Sequence, residues 1–208
     1  MSPTEPAATS PAQPFVVRQY LRARAEVAPY ARAIGFLAVP AAIWAVWASG
    51  PGWLTPAYFV LAVAGAALGV IDAHTQRLPN ALVIPLTWAT AALLALAALG
   101  TGAWSALGRA ALGGLAFFAL YQVLYWLTPR GGIGYGDVKL TLSLGAVLAW
   151  YSWTTLLVGV FAAHVLAGVV AIVLLIGRRA GWKTGIAFGP YMLLGTFVGL
   201  TWAYFNGW

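Results

Sequence analysis

The sequence predicts an all-α, polytopic membrane protein with about seven transmembrane helices. Of its 208 residues, 62% are hydrophobic and only 7% are charged, and the mean hydropathy is +0.86. A soluble globular domain is typically about 45–50% apolar and about 25% charged. The apolar runs are continuous rather than alternating, which argues against a β-barrel. The composition therefore excludes a water-soluble globule.

Charged residues divide the chain into uncharged runs, which set the positions of the helices. The runs 33–71 and 140–177 are 39 and 38 residues long, so each can hold two spans. The first is broken by Ser-Gly-Pro-Gly at 49–52, and the second by a turn near 150–153. The three remaining runs hold one helix each. The predicted helices are 33–49, 53–72, 81–100 and 110–129, two within 140–177, and one within 184–208.

The basic residues predict the orientation of these helices, because Lys and Arg collect on the cytoplasmic side of short loops. With the N-terminus placed inside, ten of the eleven basic residues are cytoplasmic and only Arg109 lies outside. The C-terminus is then outside. The formal net charge of +7 follows from this topology, so we expect the lipid bilayer as a partner and no nucleic acid.

The chain divides into an N-terminal segment, 1–32, and one transmembrane domain, 33–208. Residues 1–14 are rich in Pro, Ser, Thr and Ala and are expected to be a disordered tail. Residues 15–32 are typical of a short basic helix on an anionic membrane surface. The absence of cysteine excludes Cys-ligated zinc and thiol catalysis, and we expect neither a metal site nor a cofactor.

Asp72 and Asp137 are the only aspartates, and both lie at the edge of an apolar span. Acids at such depth are costly and are usually functional. Taken alone, Asp137 could be a helix N-cap and Asp72 a solvated loop residue. The predicted topology, however, places both at one membrane level, where Asp72 ends the second helix and Asp137 opens the fifth. Together they favour a paired-carboxylate site.

Such a pair has a specific chemistry, because two adjacent carboxyls share one proton. The ionised group can take a proton from water while the protonated group polarises a carbonyl, as in aspartic proteases. The helix dipoles predict that Asp137 is the ionised base and Asp72 the protonated acid. Gly134 and Gly136 would let the backbone approach a substrate strand.

Two motifs resemble the prepilin peptidases, which are membrane aspartyl proteases of the GxGD class. Asp72 is followed after six residues by Pro-Asn at 79–80, and GYGDVKL occupies 134–140. The sequence FGPY at 188–191 is similar to a third short motif of that family. The resemblance covers 70–208, and the ordered combination of motifs within a polytopic chain makes it specific.

The resemblance implies an aspartic-type endopeptidase of the bacterial inner membrane. Its substrates would be type IV prepilin or pseudopilin precursors, cut at the cytoplasmic membrane face just before an apolar helix. Larger family members carry a cysteine-containing segment and N-methylate the product, whereas this cysteine-free chain resembles the compact form, so we do not expect methyl transfer. The implied catalytic residues are Asp72 and Asp137, and the residues expected to shape the site are Pro79, Gly134, Gly136, Lys139, Gly189 and Pro190.

Other polar residues leave several interpretations open. Lys139 could adjust the charge state of Asp137, contact the substrate backbone, or anchor its helix at the inner surface. His164 is expected to hydrogen-bond within the bundle, and His74 to be solvated in a loop. Gly189 and Pro190 are expected to bend or open the last helix.

Two other functions compete with the peptidase. Paired intramembrane acids also serve proton relays, so a small proton-coupled transporter is one alternative. A non-enzymatic scaffold for pilus or secretion assembly is the other. Both acids lie at one face rather than along a path across the membrane, which favours the peptidase over the transporter.

Overall fold

A computed structural model describes residues 15–128, 133–177 and 187–207, and within these ranges the regular structure is entirely helical. A short 3₁₀ turn, Ala28–Tyr30, joins the first two helices. The predicted tail 1–14, Arg130 and the basic loop residues Arg178, Arg179 and Lys183 lie outside the described residues. The helices are α1 (Phe15–Val27), α2 (Ala31–Ser49), α3 (Thr55–Thr75), α4 (Asn80–Thr101), α5 (Trp104–Leu127), α6 (Tyr135–Tyr151), α7 (Trp153–Ile176) and α8 (Gly189–Phe205).

The seven helices α2–α8 correspond one to one with the seven apolar helices predicted from the sequence. Five segments of the described chain are long and apolar enough to cross a membrane, namely α3, α4, α5, α7 and the stretch Val17–Ser49 that contains α2. Helices α6 and α8 are shorter, with 17 residues each. The chain is therefore a multi-pass membrane protein, while a total of seven crossings remains a prediction.

Breaks between helices occur where the sequence placed them. Gly102 ends α4 with a φ of 71°, a left-handed conformation that glycine adopts without strain. Ser152 separates α6 from α7, and its hydroxyl oxygen accepts a hydrogen bond of 3.0 Å from the N–H of Thr155. This side-chain cap satisfies one of the free amides at the start of α7.

Helix α5 departs from the prediction, because it begins at Trp104 rather than at 110 and contains Arg109. The guanidinium group donates to the carbonyl oxygens of Ala149 at 2.7 Å and Tyr151 at 2.8 Å, and also to that of Trp150. These carbonyls end α6 and have no partner within that helix. The charge of Arg109, which the sequence suggested as a break between two spans, is therefore stabilised by hydrogen bonds to the carbonyl groups at the end of α6.

Glycines allow two helix pairs to pack very closely. A Cβ atom at Gly114 of α5 would lie 2.7 Å from a backbone oxygen of α6. A Cβ at Gly195 of α8 would lie 2.4 Å from the carbonyl oxygen of Gly159 in α7. Small residues let membrane helices approach in this way.

Helix α6 lies at the centre of the bundle and packs against α4, α5, α7 and α8. Eleven of its residues are buried, including Asp137 and Thr141. Its N-terminal end lies near the last turn of α3 and the first turns of α4 and α8, and this end is hereafter the acid end of the bundle. Arg109 lies at the opposite end, beside the last residues of α6.

Candidate functional site

Asp72 is held at the acid end by the first residue of α8. Its side chain is only 4% exposed, and its Oδ2 atom accepts a hydrogen bond of 3.0 Å from the backbone N–H of Gly189. The first amides of a helix lack partners within the helix, so the carboxylate satisfies one of them. A Cβ at residue 189 would lie 2.7 Å from Oδ2, so the approach requires glycine.

Helix α3 continues past Asp72 to Thr75, and the expectation that Asp72 ends its helix was wrong. Gln76 adopts a φ of 52°, and its N–H donates to the backbone carbonyl of Asp72 at 2.8 Å. His74, expected in a loop, lies in the last helical turn with Nδ1 2.8 Å from the carbonyl oxygen of Val70. The helix-end argument for a protonated Asp72 is therefore weakened, and the Gly189 amide supports charge on that carboxyl.

Asp137 lies in the first turn of α6 and is 8% exposed. The N-cap of this helix is Gly134, not Asp137. The Asp137 carboxylate reaches back and accepts a hydrogen bond from the N–H of Gly134. Asp137 thus stabilises the start of its own helix, as an acid at this position of a capping box does. Each of the two carboxyls therefore has one backbone N–H partner.

The two buried carboxyls are close enough to interact electrostatically, although they are 65 residues apart in the sequence. Their helices, α3 and α6, both pack against α8. Two carboxylates in such surroundings cannot both be ionised at low cost, which favours one shared proton. Because each group has an amide donor, either can hold the charge while the other holds the proton.

The segments that carry the two motifs are in direct contact. A Cβ at Gly136 would lie 2.6 Å from the Cβ of Leu78, in the loop between α3 and α4. The Lys139 ammonium donates to the Asn80 side-chain oxygen at 2.8 Å and lies 4.7 Å from the centre of the Tyr135 ring. Lys139 thus connects α6 to the start of α4, through a partner that is 59 residues away in the sequence.

The remaining expected site residues have structural partners of their own. Pro79 is the N-cap of α4, and its carbonyl oxygen accepts hydrogen bonds from the N–H groups of Leu82 and Val83 in the first turn of that helix. A Cβ at Gly134 would lie 3.0 Å from Oδ2 of Asp137. Gly134 and Gly136 therefore make room for the protein's own atoms, where the sequence suggested a substrate strand. Gly189 and Pro190 begin α8 rather than bend it.

Aromatic residues beside the acids were not among the predicted site residues. Tyr121 of α5 lies within electrostatic range of Asp137, and its hydroxyl contacts Nε2 of His164 at 3.2 Å. The expectation that His164 hydrogen-bonds within the bundle is confirmed. Phe188 precedes Gly189 and stacks on the Tyr121 ring. Tyr121 sits in an ordinary apolar run, so no local pattern singles it out.

Of the described residues, no group of three or more His, Cys, Asp or Glu side chains is placed to hold a metal ion. The groups that can act on a substrate at the acid end are the two carboxyls and their hydrogen-bonded neighbours. This arrangement can exchange protons with water and with a carbonyl group.

The chain is similar in sequence to proteins of one known family, and the matching region includes the site. The sequence pattern of the type IV leader peptidase family matches residues 59–175, which include both aspartates. The chain is 33% identical over 159 residues to a prepilin leader peptidase/N-methyltransferase of Stutzerimonas stutzeri, covering 76% of this chain and 54% of that protein. It is 31% identical over 163 residues to the Pseudomonas aeruginosa protein of the same name, covering 76% and 53%.

A third relative of that name, from Aeromonas salmonicida, is 33% identical over 156 residues, covering 73% of this chain and 51% of that protein. The chain thus spans about half the length of the curated relatives it matches. No solved structure shows a comparable similarity.

Proposed function

Because the chain belongs to the type IV leader peptidase family, we propose that it is an aspartic-type endopeptidase that removes the leader from prepilin-like precursors. The observation that carries the proposal is the pair of buried, interacting carboxyls formed by Asp72 and Asp137. Family membership favours this function over the transporter and the scaffold. The proposed site faces the cytoplasm at the inner membrane, where the positive-inside rule places the acid end.

The proposed reaction is hydrolysis by an activated water molecule. The ionised carboxylate takes a proton from water, and the oxygen attacks the scissile carbonyl carbon while the protonated carboxyl donates to the carbonyl oxygen. The tetrahedral intermediate then collapses as the C–N bond breaks: the leaving amine takes the proton that the first carboxyl received from water, and a hydroxyl of the intermediate returns a proton to the second carboxyl as the new acid forms. The Gly189 and Gly134 amides orient the two carboxyls, so that neither has to reorganise during the reaction.

An apolar groove between α2, α3 and α8 supports a substrate that carries an apolar helix. The groove has a volume of about 580 Å³ and is lined along α3 from Leu61 to His74. At 1.5 Å per residue this lining extends for about 20 Å. It ends at His74 and Pro190, beside the acid pair. We propose that the apolar segment after the scissile bond lies in this groove.

A substitution at Ala66 tests whether the groove binds the substrate, because Ala66 lines the groove away from the two carboxyls. Ala66→Phe should fill part of the volume, raise the KM for a precursor and leave kcat nearly unchanged. An unchanged KM would remove the groove from the proposal without affecting the acid pair.

We also propose that cleavage occurs without N-methylation. The relatives are named for both activities, but the resemblance links methyl transfer to a cysteine-containing segment, and this chain contains no cysteine. A mass spectrum of the mature product separates the two outcomes, because methylation adds the mass of one methyl group to the new N-terminus.

The central experiment is co-expression of the chain with a candidate precursor, followed by measurement of a mass loss equal to the leader. Asp72→Asn and Asp137→Asn preserve side-chain volume but remove the exchangeable acid, so each should abolish cleavage. Glu26→Gln is the matched control, because this carboxyl is exposed on α1. Full cleavage by either aspartate variant would refute the mechanism.

A further inference from the structure

Tyr121 is a buried phenol whose hydroxyl must find a partner in an apolar bundle. The residue is 3% exposed, and an unpaired hydroxyl at such a site is unfavourable. Its oxygen lies 3.2 Å from Nε2 of His164, across the gap between α5 and α7. Phenylalanine would fill the same space without this requirement, so the hydroxyl needs an explanation.

The surroundings of His164 determine which atom donates in this pair. Its Nδ1 lies 2.8 Å from the carbonyl oxygen of Val160, which can only accept, so Nδ1 carries the hydrogen. In the neutral imidazole Nε2 is then an acceptor, and the Tyr121 hydroxyl donates to it. This fixes the direction of the O–H bond. Asp137 lies within electrostatic range of the same hydroxyl group.

The Tyr121 ring has a second contact, which leads to the other aspartate. Phe188 stacks on it with ring centres 6.3 Å apart and planes 29° apart. The His164 ring lies 5.3 Å from Phe188, so residues of α5 and α7 hold the residue that precedes α8. The next residue, Gly189, donates its N–H to Asp72. Tyr121 is therefore linked to Asp72 through its ring, Phe188 and Gly189, while its hydroxyl lies within electrostatic range of Asp137.

We propose that Tyr121 is a positioning residue of the acid pair, with its hydroxyl oriented by His164 and its ring fixing Phe188 and the Gly189 amide. This inference builds on the proposed function, since it assigns Tyr121 a role in that site. It predicts that removal of the hydroxyl alone changes the surroundings of Asp137. Removal of the ring should also disturb Asp72.

The composition of the chain allows a direct spectroscopic test, because it contains only two aspartates and two histidines. The full chain is studied in lipid by nuclear magnetic resonance, with ¹³C in the side-chain carboxyls of aspartate and ¹⁵N in the imidazole rings of histidine. The spectra then contain one carboxyl signal for each aspartate and two ring-nitrogen signals for each histidine. The carboxyl signal that disappears in Asp137→Asn belongs to Asp137, and the imidazole signals that disappear in His164→Ala belong to His164. The compared variants are Tyr121→Phe, which keeps the ring, and Tyr121→Leu, which removes it, and the control is Tyr204→Phe on α8.

Tyr121→Phe should shift the Asp137 carboxyl and His164 Nε2 signals and leave the His74 signals in place. Tyr121→Leu should shift the Asp72 signal as well, whereas Tyr204→Phe should shift none. Unchanged aspartate signals in Tyr121→Phe would overturn the inference. Because this measurement needs no precursor, it decides the inference even if the chain cleaves no pilin precursor, an outcome that would count against the proposed function alone.

Kinetics with a cleaved precursor give a second readout. Loss of one neutral hydrogen bond should lower kcat of Tyr121→Phe by about 2- to 10-fold, with KM unchanged. His164→Ala should have the same effect, and the double variant should be no slower than either single variant, because His164 acts through the hydroxyl. If the fold-reduction in kcat of the double variant equals the product of the two single reductions, the two residues act independently and the proposed coupling is refuted.

Discussion

Replacing Gly189 by alanine adds one methyl group where α8 meets Asp72. The new Cβ would lie 2.7 Å from Oδ2 and 3.2 Å from Cγ of the carboxyl group. A carbon atom cannot remain that close to an oxygen, so the carboxylate or the start of α8 must move by about 0.5–1 Å to restore ordinary van der Waals contact. The N–H to Oδ2 hydrogen bond, now 3.0 Å, would then be lost or badly aligned.

The size of the effect follows from that hydrogen bond. A bond to a charged group contributes about 1.5–3 kcal/mol, which corresponds to about 10- to 150-fold in rate if it is lost from the reactive arrangement. Folding should be affected less, because replacing a helical glycine by alanine favours the folded state by about 0.5–1 kcal/mol and partly offsets the strain. We therefore expect a folded variant with a kcat lowered about 10- to 150-fold.

The assay measures precursor cleavage by the purified chain in lipid nanodiscs, with kcat and KM determined separately. Gly168→Ala is the matched control, because a Cβ at this α7 position has no atom within 4 Å. It should cleave like the wild type, and Asp72→Asn gives the inactive baseline. A Gly189→Ala variant with wild-type kcat would refute the argument that this amide orients Asp72.

Three further predictions concern stability and topology. Gly195→Ala should destabilise the α7–α8 contact by about 1–3 kcal/mol in thermal unfolding, while Gly168→Ala should not. Arg109→Met should cost about 1.5–3 kcal/mol in the same measurement, because it leaves the carbonyls at the end of α6 without their charged donor; an unchanged melting temperature would contradict this role. A reporter fused after Trp208 should be non-cytoplasmic and one inserted within 178–183 cytoplasmic, and the reverse pattern would overturn the orientation.

The sequence by itself determined the helical architecture. The uncharged runs predicted all seven apolar helices, and the breaks after Ser49 and at Ser152 lie where turns were predicted. Such features depend on neighbouring residues, so a single chain can reveal them. The order of motifs also identified Asp72 and Asp137 as the residues to examine, because an acid beside an apolar span is expensive wherever it lies.

Only the tertiary structure decided which groups meet. The end of α3 depends on the conformation of Gln76, and the start of α5 depends on carbonyls of α6 that lie 40 or more residues from Arg109. The Gly189 amide reaches Asp72 across 117 residues, and Tyr121 joins the site only through packing of α5 against its neighbours. These partners come from helices distant in the sequence, so their contacts follow from how the bundle packs and leave no local pattern.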